Sequence, residues 1–120
     1  MDEAHRAEFA ELLRRRIDES DATLAALEQD LNALADARAD ATADDEHDPE
    51  GVTLSAEWSR IAGLRDEQLR ERAEVHAAQE RWDAETYGTC VSCGRPIPVG
   101  RLRIRPMATR CVACAQREER

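Results

Sequence analysis

Four cysteines stand at positions 90, 93, 111 and 114, in the run CVSCGRPIPVGRLRIRPMATRCVAC. Each pair has the spacing Cys-x2-Cys, and seventeen residues separate the pairs. Two short turns of this kind can set four sulfurs tetrahedrally around one Zn2+ at about 2.3 Å. Cys90, Cys93, Cys111 and Cys114 are therefore expected to hold a single zinc ion. Four thiolates fill its coordination sphere and leave no place for water, which makes the expected role structural, not catalytic. Gly94, directly after the second Cys, suits the tight turn a Cys pair makes around a metal. A lone Cys-x-x-Cys can be a redox motif, but here there are two pairs and no strand–helix–strand pattern around them.

Between the pairs, Pro96, Pro98, Gly100 and Pro106 predict loops or a minimal β-hairpin, with Ile97, Val99, Leu102 and Ile104 available to cover the site. A segment this small is expected to draw most of its folding free energy from the metal.

A second unusual constellation lies at residues 44 to 50, DDEHDPE, with five carboxylates in seven positions and no basic residue. Asp48-Pro49 is a helix start: Asp caps the N-terminus and Pro is favoured at the first helical position. Asp48 and Glu50 also suit the positive end of a helix dipole. Asp44 and Asp45 do not, because they fall near the negative end of a preceding helix, where each costs up to about 1 kcal/mol. Capping explains half of the acidic run. The rest is either a solvated turn or an acidic tip able to meet basic side chains or a bound Mg2+.

Two long periodic segments flank this turn. From about Asp2 to Ala43, Ala10, Ile17, Leu24, Leu31 and Arg38 take heptad position a, with Leu13, Ser20, Leu27, Leu34 and Ala41 at d. That narrow apolar stripe predicts a coiled-coil helix. From about Thr53 to Thr86, Leu54, Trp58, Ile61, Leu64, Val75, Ala78 and Trp82 recur at helical spacing, interrupted by Arg65, Gln68 and Arg72. At 1.5 Å per residue the helices are expected to run about 60 and 50 Å. Neither stripe can stay in water, so the helices are expected to fold back on each other as an antiparallel hairpin, with parallel self-association as the alternative. The fold expected is all-α: a two-helix coiled-coil hairpin over residues 1–87 with its tip at 44–51, then a C4 zinc finger over 88–120 ending in a short helix.

Charge is distributed unevenly. The chain carries a net −9 at pH 7, made up of −11 over residues 1–52, −3 over 53–87 and +5 over 88–120. An acidic arm with a basic end makes a poor general DNA binder. No apolar run approaches the roughly 20 residues that cross a bilayer, and the acidic, polar N-terminus does not resemble a secretory signal. A cytoplasmic location is expected, where reducing conditions disfavour disulfides. No phosphate-binding Gly-rich loop, nucleophile–base pair or open metal site points to an enzyme.

The run YGTCVSCGRPIPVGRLRIRPMATRCVAC, with Tyr87-Gly88 before the first Cys, Cys-x-x-Cys-Gly and Arg101-Leu102-x-x-Arg105-Pro106, resembles the C-terminal zinc finger of the DksA/TraR family of bacterial transcription regulators. With the two helices before it, the resemblance spans nearly the whole chain. It implies a protein that binds bacterial RNA polymerase, not promoter DNA. The hairpin would enter the secondary channel and carry its acidic tip toward the catalytic Mg2+. The zinc end, with Arg101, Arg103 and Arg105, would stay at the channel mouth, Arg101 and Arg105 contacting the rim. The family's tip pattern is Asp, two residues, Asp, one residue, Ala. Asp45 and Asp48 match the two carboxylates and Glu50 takes the Ala position. A start at Asp48-Pro49 instead sets Gly51 where the second Asp belongs. Family members that respond to ppGpp use basic residues on the helix, in the finger and after the last Cys. Only Arg105 matches, the other positions holding Glu74 and Ala115, which implies weak or no ppGpp synergy. The competing reading is a coiled-coil adaptor with a zinc-stabilised foot.

Overall fold

The structure, a computed structural model, describes residues 1–42 and 49–118. Among them are four helices: α1 Glu3–Thr42, α2 Pro49–Asp83, α3 Val99–Ile104 and α4 Val112–Glu118. The only β-like pairing among the described residues is an isolated antiparallel bridge between Thr89 and Pro96. No helix among them is long and apolar enough to cross a membrane.

The helix ends follow local chemistry. Asp2 caps α1: its Oδ1 accepts the backbone N–H of His5 at 2.8 Å, satisfying one of the orphan donors of a first turn. α2 starts at Pro49, the first helical position that the Asp48-Pro49 pair marks and four residues before the apolar stripe opens near Thr53, because proline needs no N–H there. Its end comes at Asp83, not Thr86. There Thr86 N–H donates to Arg81 O at 2.8 Å and Glu85 N–H to Trp82 O at 3.0 Å. These are the two bonds of a Schellman stop. Its left-handed position is filled by Glu85, at φ 62°, where glycine is the usual occupant. A side chain there costs about 1 kcal/mol, and a negative charge past a helix C-terminus adds to it. Glu85→Gly is therefore expected to raise stability by up to about 1 kcal/mol, read as a rise in the thermal midpoint.

The chain divides into two compact units, Glu19–Arg72 and a unit that joins Met1–Asp18 to Ala73–Arg120. In the first, α1 and α2 run antiparallel within one chain. Arg38 lies over the Trp58 ring at 6.0 Å, and Gln68 Nε2 donates to Ser20 Oγ at 2.8 Å. Leu24, Leu31 and Ile61 are buried along this seam, and so is Ser20. Two of the three residues that break the second apolar stripe, Gln68 and Arg72, are thus partners of polar groups on the first helix, whereas Arg65 lies 3.8 Å from Asp66 on its own helix. Gln68 answers the one polar d position of this seam, and Arg72 Nε sits 2.8 Å from Asp21 Oδ1. That pair is an ion contact without a well-directed hydrogen bond, so Ser20–Gln68 is the firmer register mark.

In the second unit, Phe9, Cys90, Ile97, Leu102 and Cys114 form one buried cluster, with Leu12, Trp82, Tyr87 and Val99 packed against it. Phe9 falls outside the a and d positions yet is fully buried. Its ring stands 6.1 Å from that of Tyr87, which in turn stands 5.4 Å from Trp82. Tyr87 Oη donates to Pro106 O at 2.7 Å. Burial raises its phenol to about 12, so the proton of that bond stays in place.

α3 corrects the expectation of loops between the cysteine pairs. Its prolines stand at the borders, not inside. Pro98 precedes the first turn, its carbonyl accepting the N–H groups of Arg101 at 3.0 Å and Leu102 at 3.1 Å, and Pro106 comes just after the C-cap residue Arg105. Gly100 inside the helix costs about 1 kcal/mol. Leu102, fully buried, returns about 1.5–3 kcal/mol, and burial wins.

Candidate metal centre

Two knuckles present the cysteines. In the first, Gly94 N–H donates to Cys90 O at 2.9 Å and Cys90 N–H to Arg95 O at 2.9 Å. Gly94 adopts φ 73°, the left-handed turn expected of it. The second knuckle runs straight into α4, with Ala115 N–H donating to Cys111 O at 3.0 Å. Val91 N–H reaches across to Thr109 O at 2.9 Å and ties the first knuckle to the strand of chain before the second.

The four sulfurs of Cys90, Cys93, Cys111 and Cys114 all lie within 4.8 Å of one another. A tetrahedron with metal–sulfur bonds near 2.3 Å has edges of about 3.8 Å. Cys93 Sγ and Cys111 Sγ are 3.9 Å apart. All four are free thiols, and disulfide bonding would need sulfurs near 2 Å.

The electrostatics also call for a cation. Backbone N–H groups, that of Cys111 foremost, hold the Cys90 thiol down at about 6, and Cys111 is lowered first by the backbone of Cys114. Cys114 is pushed up to about 11, chiefly by sharing its proton with Cys111. Packed thiols cannot all ionise alone, and a divalent ion removes the conflict. With an all-sulfur donor set and tetrahedral spacing, the residues fit one structural Zn2+, held by Cys90, Cys93, Cys111 and Cys114. The expected cover is only partly right. Ile97 and Leu102 are buried against the site, whereas Ile104 is 80% exposed, on the face of α3 turned away from the core.

Beside the metal centre is a cleft of about 690 Å³ whose walls include Arg16, Glu74, Arg81, Arg101, Arg105, Arg110 and Ala115. Glu74, Arg105 and Ala115, far apart in sequence, therefore share one cavity. Most of its cations are engaged by the protein. Arg81 donates to Met107 O at 3.3 Å, Arg101 to Arg110 O at 2.8 Å, and Arg110 Nε pairs with Glu118 Oε2 at 2.9 Å. Arg103 is not simply a free basic residue. It grips Glu8 through two hydrogen bonds, 2.7 and 3.1 Å, which hold the Glu8 carboxyl below its ordinary range. Arg16, Arg81 and Arg110 had no sequence signal, because they reach the cleft from three separate segments.

Asp45 and Asp48 lie outside the described residues, as do Asp44 and His47; Glu50 is the second residue of α2, and its side chain falls outside them too.

Comparison with known proteins matches residues 85–120 to the prokaryotic dksA/traR C4-type zinc finger. A protein of Haemophilus influenzae is 54% identical over 33 residues, a stretch that covers 28% of this chain and 44% of that protein. The chain thus spans less than half the length of that relative. Over nearly its whole length, 99%, the chain is similar in fold to the transcription factor DksA2 from Pseudomonas aeruginosa, with a TM-score of 0.84, 26% identity and 86% of that chain covered.

Proposed function

We infer that this chain, which carries the DksA/TraR zinc finger on a DksA-like fold, is a transcription factor that acts by binding RNA polymerase. Its working part is the acidic segment between α1 and α2. The hairpin enters the secondary channel, Asp45 and Asp48 approach the catalytic Mg2+, and the zinc-held unit, in which Arg101 and Arg105 line one cleft, remains at the rim. The observation that carries this reading is the joint occurrence of the finger and two antiparallel helices that flank, in sequence, the densest acidic run of the chain. The carboxylates do no bond-making chemistry. They alter the field at a metal site that belongs to the polymerase, so the polymerase remains the catalyst.

The basic segment 88–120 is expected to meet a protein rim and not DNA, because the whole chain is acidic and repels a phosphate backbone. Co-purification with core polymerase tests the reading. The chain is expected to elute with the enzyme and to inhibit or stimulate a promoter in a defined transcription assay. Binding to a different protein with none to polymerase would favour the adaptor instead.

Weak ppGpp synergy is part of the same proposal. Glu74 and Ala115 leave two of the three cation positions of the cleft without positive charge, and Arg81, Arg101 and Arg110 are committed to internal partners. Promoter output measured with and without ppGpp is expected to differ little, and strong potentiation would overturn this point.

A further inference from the structure

We propose that Arg117 is a positioning residue for the zinc centre, holding the Cys114 sulfur in its metal-binding geometry through an N–H···S bond and so slowing loss of the ion. Arg117 Nη2 lies 3.0 Å from Cys114 Sγ. The two residues are three apart on α4, a spacing that puts them on one helix face. Cys114 is among the most buried side chains of the unit, at 2% exposure, whereas Cys93 is exposed. Arg117 thus acts on a sulfur that solvent barely reaches.

Four thiolates outweigh the charge of one divalent ion, so a loaded centre is anionic. A guanidinium placed on a ligand sulfur offsets that excess and, through its planar fork, fixes the direction in which the sulfur presents its lone pairs. The helix that carries Arg117 is itself held against the first knuckle. Glu118 Oε1 accepts from Ser92 Oγ at 3.3 Å, and Arg110 Nε donates to Ser92 Oγ at 3.1 Å. Ser92 stands between Cys90 and Cys93, so this clasp links the two cysteine pairs through α4. It keeps the last turn of α4 in place, and with it the Arg117 side chain over Cys114.

The test is competition for zinc against a chromophoric chelator, paired with the absorption of the Co2+-loaded protein. Arg117→Ala is expected to weaken zinc binding about tenfold and to shift the thiolate-to-cobalt charge-transfer band. Arg117→Lys, which keeps the charge and a donor, is expected to recover part of the loss. Arg95→Ala removes an exposed cation from the first knuckle without touching a sulfur and is expected to behave as the parent. Equal affinity and an unshifted band in Arg117→Ala would overturn the proposal. So would an equal loss in Arg95→Ala, which would mean that net charge alone is responsible. Should Arg117→Ala not fold with excess zinc, Arg117→Gln replaces it with the same expected outcomes.

Discussion

Replacing Asp45 and Asp48 together by Asn is expected to abolish the effect of the chain on transcription while leaving its binding to core polymerase largely intact. The exchange keeps the size and hydrogen-bonding shape of each side chain and removes two charges. A unit charge pair at 4 Å is worth about 4 kcal/mol in a partly screened site, and a divalent ion strengthens the interaction further. An exposed ion pair at the rim is worth about 0–1 kcal/mol. Loss at the tip should therefore reduce the transcriptional response by at least tenfold, since about 1.4 kcal/mol already corresponds to that factor. Binding, spread over the helices and the basic unit, should barely change. Parallel loss of binding and response would mean that the carboxylates are anchors and not the acting group.

Removal of zinc carries the largest expected effect on stability. Cys90 and Cys114 belong to the same buried cluster as Phe9, Ile97 and Leu102, so the metal site and the small core are one structure. A structural zinc contributes on the order of 10–16 kcal/mol to the folding of a module of this kind, whereas whole domains are stable by only about 5–15 kcal/mol. Chelation, or Cys114→Ser, is expected to unfold α3 and α4 and expose Phe9 and Tyr87. Trp82, 5.4 Å from the Tyr87 ring, reports this directly in a Trp58→Phe background. Its emission should shift to the red, with only a modest loss of helical signal because α1 and α2 carry most of the helix. The unit formed by Glu19–Arg72 has its own seam and should persist. An unchanged Trp82 spectrum after complete zinc removal would separate the metal from the core.

Much of this was readable from residue spacing. The cysteine pattern named all four ligands, because metal geometry imposes short, recognisable intervals. The heptad stripe named Leu13, Leu24 and Leu31, which are buried, and Ser20 as the polar exception. What the stripe could not supply was the partner of Ser20: Gln68 reads as a defect until the two helices are placed side by side. Phe9 was missed for a related reason. It lies off the heptad seam and is buried by the finger, which arrives from the other end of the chain. α3 is hidden by its prolines and glycine, which by type argue against a helix, although at helix borders proline is permissive. The cleft arginines were illegible individually, since only folding brings Arg16, Arg81 and Arg110 together. Glu85 in a left-handed stop ran against the usual preference for glycine and left no mark in the sequence.

The acidic segment between α1 and α2, and not the zinc-held unit, is expected to reach the polymerase active centre. Replacing the catalytic Mg2+ of core polymerase with Fe2+ and adding hydrogen peroxide, which the Fe2+ reduces to hydroxide and a hydroxyl radical, releases radicals at that point, and end-labelled chain bound to the enzyme records where they strike. Cleavage centred on residues 44–51 is the expected result. Cleavage confined to residues 88–118, or none in a chain shown to be bound, would contradict the account.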